Sequence, residues 1–183
     1  MTATRTLGAI AGTLVLTATV GVPATATFPA SVSRPEINSA PVPGGMCRHS
    51  KGHLVNGERD FGVNGGEWIE KVATGRVGGR TVAVVSIGCT AGGVSWPETL
   101  VFYRRGSDGR LEIAAKQYLG KFRRAEHASV QSMFISDGKL HIAWNTYQGC
   151  CFERRKFTAD MRLRGTTVRV TALTKGRMTH PYP

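Results

Sequence analysis

The side chains best placed to do chemistry are two arginines that a β-hairpin would set side by side. Lys156–Arg164 (KFTADMRLR) alternates strictly. Phe157, Ala159, Met161 and Leu163 take one parity, and Lys156, Thr158, Asp160, Arg162 and Arg164 take the other, the period of a half-buried strand. Gly165-Thr166 is a Gly-X pair suited to a two-residue type II′ turn. The return strand Thr167–Leu173 then sets Leu163 against Val168, Met161 against Val170 and Ala159 against Ala172. The same register puts Arg162 directly opposite Arg169. Two guanidinium groups on neighbouring strands can hold a phosphate or carboxylate between them. Left alone, like charges so placed destabilise the pair by a few tenths to about 1 kcal/mol, and only Asp160, on the diagonal, offers a counter-charge. Lys156, Arg162, Arg164 and Arg169 are therefore the candidate anion-binding face. The alternative is a solvated face with the long side chains splayed apart.

The cysteines are the second reactive set: Cys47, Cys89, Cys150 and Cys151. In an exported chain they would be paired, and three pairings are possible. Adjacent strand residues point to opposite faces. Cys150 and Cys151 are thus expected to reach different partners, one Cys89 and the other Cys47, with a vicinal bond as the lesser alternative. Cys47-x-His49-x3-His53 combines thiol and imidazole ligands suited to copper or zinc, but a disulfide would remove the thiolate, so no metal is expected. The loop Thr74–Arg80 carries no carboxylate for a hard cation. The chain has no Gly-x-Ser-x-Gly, no His-Glu-x-x-His and no Cys/His nucleophile signature. Glu126-His127 is the one pair suited to acid–base work, and it sits in a basic segment. His141 falls on an outward parity opposite Phe134. The expectation is a non-enzymatic protein with no catalytic residues and no cofactor; a small secreted hydrolase using His127 is the alternative.

The strands that would position these residues are built around Arg80–Tyr103. Val82, Ala83, Val84, Val85 and Ile87 form a β-branched run that reads as buried on both faces. Gly92, Gly93 and Pro97 break the run, and Leu100–Tyr103 resumes it. A first hairpin turns at Gly106-Ser107-Asp108-Gly109; a two-residue loop would set Arg105 opposite Glu112 and Phe102 opposite Ala115, and a four-residue loop would move the register by two, with Leu100, Phe102, Ile113 and Ala115 on one side either way. A second turns at Asp137-Gly138 in type I′ geometry, with Ile135 opposite Leu140, Met133 opposite Ile142 and Gln131 opposite Trp144. Glu67–Val72 fits either a helical turn or a strand. Residues 118–128 read as a crossing or short helix. The expected fold is mainly β: a single antiparallel sheet domain of about six or seven strands built from successive hairpins, with at most one short helix and disulfide links.

The N-terminal residues make export of this domain the expectation. Residues 1–26 have the form of a secretory signal: Arg5, an apolar Leu7–Val22, and Ala24-Thr25-Ala26 for cleavage near Ala26. The apolar run is short of the ~20 residues that span a bilayer, so no stable membrane insertion of the mature chain is expected. Residues 27–46, rich in proline, read as a disordered arm. A single β domain follows over 47–175, and 176–183 read as a flexible tail. The net charge is +12 and is lopsided: residues 101–183 hold sixteen basic against six acidic side chains. A basic, exported half suggests an anionic envelope polymer or an acidic protein as partner. Nucleic acid is not expected, because no recognisable module presents stacking aromatics. A protein-binding regulator or inhibitor of the envelope is the further alternative.

The run GRVGGRTVAVVSIGC, the GGVSWPETLVFY after it, and DGKLHIAW leading to Cys150-Cys151 together resemble actinobacterial secreted proteins and lipoproteins of the LppP/LprE-like group. The similarity covers roughly residues 68–173. It implies an envelope or extracellular location and supplies no catalytic residues. This chain lacks the lipidation cysteine of the lipoproteins, its first cysteine being Cys47.

Overall fold

β-Branched and aromatic residues at period two favour strands over most of the chain, and strands are what form. The computed structural model describes residues 31–63, 65–122, 127–148 and 152–177. The expected leader (1–26), Glu126, Cys150, Cys151 and residues 178–183 lie outside the described residues. In chain order come a short helix α1 (Arg34–Asn38), then β1 (Pro41–Val42), β2 (Gly52–His53), β3 (Glu58–Asp60), β4 (Gly66–Val77), β5 (Arg80–Ala91) and β6 (Val94–Arg105). They are followed by β7 (Leu111–Tyr118), β8 (His127–Ser136), β9 (Lys139–Gln148), β10 (Phe152–Arg164) and β11 (Thr167–Arg177). The protein is mainly β and antiparallel throughout, as its hairpin signals imply. The strands form a two-stranded ladder, β1-β2, a five-stranded sheet, β3-β4-β5-β6-β7, and a four-stranded sheet, β11-β10-β9-β8. Strands outnumber the hairpin signals because Glu67–Val72 lies inside the full strand β4, and because β1, β2 and β3 are too short to leave a periodic trace.

The two sheets bury their facing sides against each other. Val82, Val84, Leu100 and Phe102 meet Trp144, Phe157, Met161 and Leu163 in one core. Trp144 and Phe157 stack with centroids 5.2 Å apart. Each such side chain contributes roughly 1.5–3 kcal/mol by leaving water. Gly75 of β4 faces Ile135 of β8 so closely that a Cβ there would lie 2.8 Å from Ile135 Cγ2.

The other face of the five-stranded sheet is covered by the arm, which corrects the disordered reading of residues 27–46: from residue 31 onward they are placed. Val32, Ile37, Ala40, Val42, Met46 and Leu54 pack on Val85, Ile87, Val101 and Tyr103. β5 is therefore buried on both faces, which its unbroken apolar run requires. Polar contacts fix the arm. Ser33 and Glu36 form a capping box, Arg105 Nη1 and Nη2 donate to the two Glu36 carboxylate oxygens at 2.6 and 3.0 Å, and Tyr103 Oη donates to the Pro41 carbonyl at 2.8 Å. The Arg105 bonds, with those from Ser33, hold the Glu36 carboxyl down at about 2.

The arm also decides the disulfide. Cys47 pairs with Cys89, their Cα atoms 6.2 Å apart, so neither is left for Cys150 or Cys151. The expected pairing of Cys89 and Cys47 with Cys150 and Cys151 is overturned by where the arm lies. The arm brings Cys47 onto the outer face of β5, where Cys89 points, whereas the flanking Gln148 and Phe152 belong to the opposite sheet.

The three hairpins expected from the sequence all carry bulges. Ile135 opposes Leu140 and Met133 opposes Ile142 as expected, but Val130, not Gln131, opposes Trp144, since Gln131 is bulged out. Asp137 and Gly138 both have positive φ, 50° and 70°, as a type I′ turn demands. In the first hairpin Arg104, not Arg105, opposes Glu112; a longer loop shifts the tip, and a bulge at Ala114 restores Phe102 opposite Ala115.

Candidate functional site

The arginine face forms as its parity requires. Leu163 pairs with Val168, Met161 with Val170 and Arg162 with Arg169. Phe157, Ala159, Met161 and Leu163 are buried, while Lys156, Thr158, Arg162, Arg164 and Arg169 are exposed. One expected pair changes: Ala159 opposes Leu173 rather than Ala172, because the register shifts between Asp160 and Met161. The shift lies past the arginines and leaves them in place.

Asp160 is not available to neutralise them. Its Oδ2 accepts from Lys139 Nζ at 3.1 Å, and its Oδ1 lies 2.8 Å from His141 Nδ1. The hydrogen bond from Lys139 is the main reason its carboxyl is held below the usual range. Among the described residues no carboxylate pairs with Arg162, Arg164 or Arg169. These three are brought together at the β10–β11 turn. Lys156 shares their face but lies six residues along β10 from Arg162, or ~20 Å at strand rise, so it extends the positive strip without entering the arginine group.

The remaining chemistry-bearing residues fall elsewhere. His49 Nε2 lies 3.0 Å from the Thr90 carbonyl, and its ring stacks on Phe61 with centroids 3.9 Å apart. With Cys47 in a disulfide, the Cys47/His49/His53 set has no thiolate. His141 stacks on Phe134 at 4.9 Å, on the outward side as expected.

His127 lies in a place that the sequence did not reveal. At the end of the molecule away from the β10–β11 turn, the two sheets leave a cleft of about 640 Å³. Trp68, Glu70, Trp96, Glu98, His127 and Tyr147 are its principal side chains. Glu98 is 5% exposed. It accepts the Ser86 hydroxyl and, across the sheets, the Val130 N–H at 3.0 Å. Burial raises its pKa against those bonds, and the nearby Glu70 raises it further. Trp68 Nε1 donates to Glu70 Oε1. Both groups lie over bare Gly88, where a Cβ would sit 2.9 Å from the indole and 3.0 Å from that oxygen. A buried carboxyl inside an apolar strand (Trp96-Pro97-Glu98-Thr99-Leu100) was the available signal, because such a group needs a specific reason to be there.

The chain matches no protein-family model, no curated protein and no solved structure. The resemblance to LppP/LprE-like proteins therefore rests on the quoted residues alone.

Proposed function

We propose that this is an exported, non-enzymatic protein that binds an anionic cell-envelope or extracellular partner through Arg162, Arg164 and Arg169, with Lys156 extending the strip. The observation that carries the reading is the Arg162–Arg169 cross-strand pair, whose nearest acid, Asp160, is engaged by Lys139 and His141. Adjacent guanidinium groups that repel one another are relieved when a phosphate or carboxylate bridges them. Arg164, two residues on, lets a polymer with repeated charges bind at more than one point. Edge strand β11 and the exposed side of β10 leave the approach open.

The test is retention of the mature chain on an immobilised polyphosphate or polyuronate resin under a salt gradient. Removing two of the cations in an Arg162→Ala/Arg169→Ala variant should lower the eluting salt concentration clearly, because exposed charge interactions are screened within about 10 Å at 0.1 M salt. Elution at the wild-type position would reject this face as the binding surface.

A further inference from the structure

The cleft at the other end of the sandwich differs in chemistry from the arginine face. The chain carries +12 overall, yet among the described residues no lysine or arginine is one of the lining side chains, the Arg48 guanidinium lying over the Trp96 ring at 5.5 Å from its centroid. Its lining offers two carboxyl groups, Glu70 and Glu98, three aromatic rings, Trp68, Trp96 and Tyr147, and the imidazole of His127. The His127 Nδ1 is buried and has no hydrogen-bond partner among the described residues. The volume, about 640 Å³, falls within the ~300–1,000 Å³ of small-molecule sites.

The local backbone is distorted to build this arrangement. Register shifts fall between Ile69 and Lys71 of β4, between Ile87 and Cys89 of β5, between Val130 and Ser132 of β8, and between Glu153 and Arg155 of β10. All four lie at the cleft end. Bulges re-aim side chains and gather beside binding sites. Here the first leaves Glu70 outside the ladder beside Trp68, and the second supplies Gly88, on which the indole and carboxylate rest. The Cys47–Cys89 bond anchors the same end of β5.

We propose that this cleft binds a small organic cation, an ammonium group carried on a compact apolar body. Glu70, exposed at the cleft and beside the Trp68 indole, supplies a carboxylate that favours a positive charge there. Aromatic faces attract such a charge by their quadrupole and cover the apolar body. A neutral ligand would gain only the second of these. Among the described residues no three His, Cys, Asp or Glu side chains are grouped to hold a metal ion. From Glu153, which pairs with Tyr147 at the cleft, to Arg162 is nine residues, or ~30 Å at strand rise. The two sites can therefore succeed or fail separately.

The probe is choline, with its neutral isostere 3,3-dimethylbutan-1-ol as the matched control, titrated into the full mature chain and followed by calorimetry and tryptophan fluorescence. Choline is expected to saturate below ~10 mM, and the isostere to bind about tenfold more weakly or not at all. Glu70→Gln keeps an acceptor for the Trp68 N–H and changes only an exposed charge. It should weaken choline about tenfold with an unchanged circular dichroism spectrum and melting temperature. Arg162→Ala/Arg169→Ala should leave choline binding as in the wild type. Equal binding of choline and the isostere, no saturation by choline, or Glu70→Gln binding choline like the wild type would each overturn the proposal.

Discussion

Removing the Cys47–Cys89 bond in a Cys47→Ala/Cys89→Ala variant tests the arm and its packing together. The bond closes a sequence separation of 42 residues. In the chain-entropy description a loop of that length costs the unfolded state about 4 kcal/mol when it is closed. For a protein of this size, each kcal/mol moves the melting temperature by roughly 2–4 °C, so the variant should melt about 8–16 °C lower. Both cysteines are buried, 3% and 2% exposed, so losing the two sulfur atoms adds a packing loss to that of the cross-link. The arm should loosen first, since the bond is its one covalent tie to β5 among the described residues and what remains is non-covalent, including side-chain packing, the Arg105–Glu36 pair and the Tyr103–Pro41 hydrogen bond. Thermal melts and urea titrations give the stability, and limited proteolysis of 31–54 reports the arm. Non-reducing peptide mapping checks the premise directly. A melting temperature within ~2 °C of the wild type, or a Cys47 peptide joined to Cys150 or Cys151, would refute the reasoning.

Two further outcomes follow from the same packing. Gly75→Ala should destabilise the fold by roughly 1–3 kcal/mol, because its Cβ would lie 2.8 Å from Ile135 Cγ2; a lower urea midpoint at constant m-value checks this, and an unchanged midpoint argues against the sheet-on-sheet contact. Glu36, lowered from 4.5 to about 2, binds its proton more weakly in the folded chain than in the unfolded one. Its contribution is present above the unfolded value of 4.5 and is lost as pH falls toward 2. Proteolysis of the arm by an acid-active protease should rise over that window, and Glu36→Gln should weaken the arm at neutral pH and flatten the dependence.

Legibility followed the range of the interactions. The β10–β11 face could be read because a two-residue turn and strict alternation determine register locally. Leu163, Met161 and both arginines fall where that logic puts them, and the pairing drifts only beyond the shift at Asp160/Met161. Bulges were not readable, because an extra residue such as Gln131 or Ala114 leaves the composition of a strand unchanged. The arm was misread for a different reason. Proline and serine suggest disorder, but Ile37, Val42 and Leu54 are spaced to cover a sheet whose outer face the sequence shows only as an apolar run in β5. Cys89 was assigned to the wrong partner because strand parity at Cys150 and Cys151 carries no information on where the fold brings Cys47. The cleft was invisible because its residues come from β4, β5, β6, β8 and β9, and no local pattern joins Glu70 to Glu98 or Trp68 to Trp96.

The arginine pair is a cost that the fold does not require. β10 and β11 would pair equally well with threonine at position 169, since the buried contacts come from Met161, Leu163, Val168 and Val170. Like charges directly opposite lower the stability of such a pair by a few tenths to about 1 kcal/mol, and the one acid that could offset it is turned toward β9. Local rules broken without a structural gain are where function is expected. Arg169→Thr should thus raise the melting temperature slightly while it lowers the salt concentration at which the chain leaves an anionic resin. Those opposite signs separate a binding face from a merely solvated one, for which the substitution would stabilise the hairpin and leave retention where it was.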